Sequence, residues 1–92
     1  MLKNTTKINT ESMYKVTDEL LNGNFEYKHV NNNLVSYTLN NVRFDREKIP
    51  LKYSYYYKFI EYNNNEKIRE YNKKTEIKEL IMHIQRLAGL IQ

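Results

Sequence analysis

Two histidines, His29 and His83, and three serines, Ser12, Ser36 and Ser54, are the side chains of this 92-residue chain best suited to acid–base or nucleophilic work. Metal ligands and catalytic partners recur at short spacings or in paired motifs, and neither histidine stands three or four residues from another His or from a ligand pair. None of the serines has the setting of a nucleophile elbow, and two glycines, Gly23 and Gly89, cannot build a loop that cradles phosphates. Cysteine is absent, which excludes disulfides and thiolate metal sites. The expectation is a protein that is no enzyme and carries no cofactor or metal. The one enzymatic reading kept beside it is a ribonuclease-type toxin in which His29 or His83 works with Arg69.

Basic residues interleaved with rings form the more suggestive pattern. Lys52, Tyr56, Lys58 and Tyr62 fall on one face of an aromatic stretch, and Lys67, Arg69, Tyr71, Lys73 and Lys74 follow. Rings stack on unpaired bases while Lys and Arg meet phosphates, so such a face suits single-stranded nucleic acid or RNA. Glu61, Glu66 and Glu70 lie among the same residues and can neutralise them. Surplus apolar groups point instead to a protein partner: Met82 lies opposite the apolar stripe of the last helix, Leu90 lies off it, and Tyr56, Ile60 and Tyr62 sit on the wetter strand face. The expected interaction surface is Tyr56, Lys58, Tyr62, Lys67, Arg69, Tyr71, Lys73, Lys74 and Met82.

These residues need a scaffold, and the chain is long enough for one small core. The formal net charge is +4, with acids and bases alternating along most of the length, which permits an anionic partner without demanding one. No apolar run approaches a membrane span, and MLKNTTKINT offers no signal peptide, so the expected site of action is the cytoplasm of a host cell. The thirteen Asn, eleven Lys and nine Tyr are also what codon bias in an AT-rich genome supplies.

Taken in order, residues 1–9 are polar and read as a frayed, disordered terminus ahead of a single domain over 10–92. Thr10 suits a helix N-cap with Glu11 just inside it, Met13, Val16, Leu20 and Leu21 make one stripe, and Gly23 is placed to end the helix. Asn24–Val30 and Leu34–Leu39 flank Asn31–Asn33. A three-residue loop there opposes Phe25 with Leu39, Tyr27 with Tyr37 and His29 with Val35, which puts His29 on the core face as a structural histidine. Asn40–Asn41 is a bulge or a turn, DREK over 45–48 reads as a loop or a helical turn, and Pro50 forces Ile49 to be extended. Leu51–Tyr62 then reads as the central strand, its odd positions facing the core. A second three-residue loop, Asn63–Asn65, sets Glu61 against Lys67 and Lys58 against Glu70, two complementary pairs; a helix over 66–72 is the rival. Thr75 caps a last helix whose stripe runs Ile77, Leu80, Ile81, Ile84, Leu87, Ala88 and Ile91, with Gly89 near its end.

The expected fold class is α+β in two layers: an antiparallel meander of four to five strands, order α-β-β-(β)-β-β-α, with both helices on one face. An α-β-β-β-α order with Lys73 and Lys74 opening the last helix resembles the double-stranded-RNA-binding domain. That family places lysines there against phosphates, but its glycine-containing loop has no counterpart at Asn31–Asn33. In character, a short chain rich in Asn, Lys and Tyr resembles the small proteins of phages and mobile elements, anti-CRISPR and other anti-defence inhibitors among them. The expectation is a binding protein that inhibits a host protein or nucleoprotein machine, with a small RNA- or DNA-binding domain as the alternative. A homodimer through the C-terminal helix is allowed.

Overall fold

A computed structural model describes residues 10–92; the segment 1–9 and the capping side chains of Thr10 and Glu11 lie outside the described residues. The chain runs α1 (Thr10–Asn24), β1 (Glu26–Asn31), β2 (Leu34–Leu39), β3 (Val42–Pro50), β4 (Tyr55–Asn63), β5 (Glu66–Tyr71) and α2 (Lys74–Leu87). All five strands form one antiparallel sheet in chain order, so β3 is the middle strand and β1 and β5 are the edges. The α-β5-α order is the expected meander with its optional strand present.

Alternation along each strand sorts the sheet into two faces. One row across it reads Tyr27, Tyr37, Phe44, Glu61, Arg69, and the next reads His29, Val35, Arg46, Phe59, Tyr71. These rows meet the helices, and Val35, Tyr37, Phe44, Phe59 and Tyr71 are buried there with Met13, Leu21, Ile77, Leu80 and Ile84. The helices also pack on each other. Arg46 and Glu61 are the two charges in the covered part of these rows, and each helix answers one. Asp18 of α1 accepts from Arg46 Nη1 at 2.6 Å, and His83 of α2 sets Nε2 2.9 Å from Glu61. Apolar packing alone tolerates sliding; an oriented polar pair does not, so the two contacts fix where each helix sits.

The helix ends follow local chemistry. α1 continues through Gly23, which has no left-handed backbone, and closes when Asn24 Nδ2 and the Phe25 amide donate to the Leu20 and Leu21 carbonyls, both at 2.8 Å. Its buried stripe uses Thr17 and leaves Val16 exposed, because the Thr17 hydroxyl donates to the Met13 carbonyl at 2.7 Å and so enters the core without an unpaired donor. α2 begins before Thr75: Glu76 reaches back to accept from the amides of Asn72 and Lys73, which makes Lys73 the N-cap. Backbone bonds hold its Glu76 carboxyl below the usual carboxylate range. At the other end Gly89 is left-handed (φ 75°), with Leu90 donating to the Gln85 carbonyl and Gly89 to that of Arg86, a Schellman closure.

The first hairpin keeps the expected pairs Tyr27–Tyr37 and His29–Val35, then slips to Asn31–Leu34, so its turn holds two residues instead of three. His29 is exposed, as is every residue of β1, an edge strand. Asn40–Asn41 is a turn, and DREK is neither loop nor helix but the middle of β3: Asp45, Arg46, Glu47 and Lys48 alternate faces and find partners on other elements. β4 starts at Tyr55, so Leu51–Ser54 is a connection, closed by Leu51 N–H donating to the Ser54 carbonyl at 2.8 Å, and this strand lies beside the central one. In the second hairpin Asn64 and Asn65 both take positive φ, 52° and 67°, the geometry of a two-residue primed turn. A bulge then sets Glu61 against Arg69 and Ile60 against Glu70 instead of the three-residue-loop register, while Lys58 still reaches Glu70 diagonally at 3.6 Å.

Candidate functional site

The residues expected to form one surface lie on three. Lys58, Tyr62 and Lys67 point to the uncovered face of the sheet, where Tyr56 shares a row with Ile49. Arg69, Tyr71 and Met82 line a cavity beside α2. Lys73 and Lys74 are exposed at its first turn. Tyr71 is buried at 3% exposure, its ring part of the core.

On the uncovered face Arg43, Lys58 and Lys67 each have an anionic partner. Arg43 bonds Asp45 at 3.1 Å and lies 4.1 Å from the centroid of the Tyr62 ring; Ser36 donates to the same carboxylate at 2.7 Å. Lys58 sits between Glu47 (3.8 Å) and Glu70 (3.6 Å), and Lys67 also bonds Glu70, whose carboxyl is held below its ordinary value by that contact. Cations paired this way are poor at displacing counterions from a nucleic-acid backbone. The hairpin ends are tied too: the Asn64 amide donates to the Asn41 carbonyl at 2.9 Å, and Arg43 Nη1 donates to Asn65 Oδ1 at 3.1 Å.

A cleft of about 690 Å³ opens between α1 and the start of β4. Its rings come from two elements: Tyr14 stands edge-on to Tyr57 (5.4 Å between centroids, 87°), and Tyr55 to Tyr57 (5.4 Å, 68°). Tyr56 and the Ser54 end of the connection complete the wall, with Lys15, Asp18 and Glu19 along α1. Lys48 lies 4.3 Å from the Tyr55 ring centroid and Arg46 4.6 Å from that of Tyr57. Burial pushes the Tyr14 and Tyr57 phenols upward, so both stay protonated as donors. Burial also raises the Asp18 carboxyl, by more than Arg46 lowers it. Asp18 Oδ1 and Arg46 Nε are the buried side-chain atoms without a partner among the described residues, and they are the idle halves of one ion pair. In the adjoining connection Leu51 is 54% exposed and Tyr53 89%.

The second cavity, about 510 Å³, lies between α2 and β5. Behind it Glu61, at 6% exposure, accepts from the Tyr71 hydroxyl at 2.6 Å and meets His83 at 2.9 Å. Burial and the neighbouring carboxylate push the Tyr71 phenol far above its usual value, so it remains a donor. Arg69 lies 4.2 Å from the Tyr71 ring centroid and reaches Glu79 at 3.3 Å. Residue types and spacing set Glu61 against Lys67 as a neutralising partner, whereas it pairs with Arg69 and bonds Tyr71 and His83. The available signal was its position, a carboxylate on the core side of an aromatic strand, which requires a buried donor from elsewhere in the fold.

No helix among the described residues is long and apolar enough to cross a membrane, and no group of three or more His, Asp or Glu among them could hold a metal ion. Comparison with protein-family models, curated proteins and solved structures finds no match.

Proposed function

We propose that this chain is a non-enzymatic binding protein that grips a protein partner with the tyrosine cleft and the Leu51–Ser54 connection, and that it acts as an inhibitor of a host protein or nucleoprotein machine. The cleft carries this reading: Tyr57 of β4 stands edge-on to both Tyr14 of α1 and Tyr55, with Leu51 and Tyr53 in the open beside them. Tyrosine is the side chain that dominates protein interfaces, because it buries much area at small rotamer cost and keeps a hydrogen-bonding tip. Leaving Tyr53 and Leu51 in water is unfavourable for the free chain and favourable for a complex that covers them. The paired charges of the uncovered sheet face weigh against the nucleic-acid alternative there.

The test begins with crosslinking the chain to its partner in the native host and then measuring affinity with purified components. Tyr53→Ala and Tyr55→Ala each weaken binding by about tenfold or more, Lys67→Ala leaves it unchanged, and moderate salt has little effect. An affinity that falls steeply with salt and tracks lysine substitutions would sink this reading in favour of nucleic acid.

A further inference from the structure

The cavity beside α2 carries chemistry that a protein-docking cleft at the other end of the sheet does not need. Glu61 uses one oxygen for the Tyr71 hydroxyl and the other for His83 Nε2. A carboxylate in that position fixes the plane of the imidazole and keeps hydrogen on Nε2, leaving Nδ1 with no bond among the described residues. The His83 ring is also steadied by the Phe44 ring, edge-on at 6.0 Å and 83°. Three residues along the same helix, and so on the same side of it, Arg86 lines the cavity. The other three arginines, Arg43, Arg46 and Arg69, are each in an ion pair; Arg86 is in none among the described residues. Across from it the Arg69 guanidinium lies 4.2 Å from the Tyr71 ring centroid, with only Nη1 engaged, by Glu79.

We propose that this cavity binds the phosphate group of a nucleotide. Two guanidinium forks and an oriented imidazole converge on one hollow, and a guanidinium matches two phosphate oxygens at once. Arg86 supplies the free fork, Arg69 the pre-positioned one, and the His83 ring lines the same hollow. A volume of about 510 Å³ exceeds what a bare phosphate needs and suits a nucleoside attached to it. Met82, 44% exposed on the wall, offers a polarisable apolar contact to the base or sugar. The charged and titratable groups facing His83 are Glu61 from β4, Tyr71 and Arg69 from β5, and Glu79 and Arg86 from α2. Of the two carboxylates, Glu61 is already doubly bonded and buried, whereas Glu79 competes with the ligand for Arg69.

The experiment is an NMR titration of the full chain at mildly acidic pH, following the ring signals of its two histidines, with His29 on the exposed edge as internal reference. The probes are a nucleoside 5′-monophosphate, the same nucleoside without phosphate, and inorganic phosphate. The monophosphate moves the His83 signals saturably and leaves those of His29 in place; inorganic phosphate does the same at higher concentration, and the nucleoside does nothing. Arg86→Ala, which removes an exposed side chain and spares the fold, weakens the monophosphate by about tenfold. Glu79→Gln tightens it, and Tyr55→Ala in the distant cleft leaves it unchanged. Shifts of both histidines together without saturation, or an affinity indifferent to Arg86→Ala, would overturn the proposal while leaving the partner-binding reading standing.

Discussion

Replacing Tyr71 by Phe isolates one oxygen atom. Its hydroxyl donates to Glu61 Oε1 at 2.6 Å, and the Glu61 side chain is 8% exposed, so water does not readily take the vacated place. The ring, its burial and the Arg69 stack at 4.2 Å are retained, and no cavity larger than the lost oxygen opens. A hydrogen bond to a charged group contributes about 1.5–3 kcal/mol, and leaving a buried carboxylate oxygen unpaired costs the upper part of that range. The expected loss is therefore about 2 kcal/mol. For a domain of this size that lowers Tm by roughly 8–16 °C and removes a large share of a total stability on the order of 5–14 kcal/mol. The assay is urea denaturation followed by circular dichroism, in which the midpoint falls while the slope stays constant. A cycle with Glu61→Gln sharpens it: a neutral amide leaves no unpaired charge, so the double variant loses less than the sum by about 1 kcal/mol. A cost below about 0.5 kcal/mol, or additive variants, would refute the view that the Tyr71–Glu61–His83 chain holds this end of the sheet to α2.

The remaining predictions concern pH and the turns. Tyr37, raised by burial to about 12 from 10.0, and Tyr71, raised further, bind their protons more tightly folded than unfolded. Their contribution to stability is thus complete below pH 10 and is lost as pH rises through the folded values; denaturation midpoints should fall across that window, and Tyr71→Phe should flatten part of the decline. A midpoint constant from neutrality to pH 12 would contradict this assignment. Asn64 holds φ 52° in its turn, so Asn64→Ala should cost about 1 kcal/mol while Asn64→Gly stays within a few tenths, read from the same denaturation curves.

The parts of the fold legible in the sequence were those whose information is local. Alternation in Tyr27, His29, Val35 and Tyr37 fixed two pairs of the first hairpin, and the Ile77–Ile84 stripe fixed α2. DREK misled because its acids and bases are satisfied by residues far along the chain: Asp18 for Arg46, Lys58 for Glu47, Ser36 for Asp45. The second hairpin shifted because a bulge near Ile68 absorbs a residue without a Gly to mark it. Arg69, Tyr71 and Met82 were singled out as part of one exposed surface. That they converge with Glu61 and His83 depends on β4, β5 and α2 meeting, which no spacing in the sequence encodes.

One property of the architecture bears on how it forms. Each strand pairs only with its chain neighbours, through turns of two residues and one connection of four, so the meander can zip up hairpin by hairpin with little loop entropy to overcome. The packing of α1 on α2 is different, because it joins the two ends of the described chain across the same sheet face. Until that clasp closes, Tyr37, Phe44 and Phe59 have no roof. Helix docking is then the step that covers the aromatic face, which is shielded from other chains only once both ends have arrived.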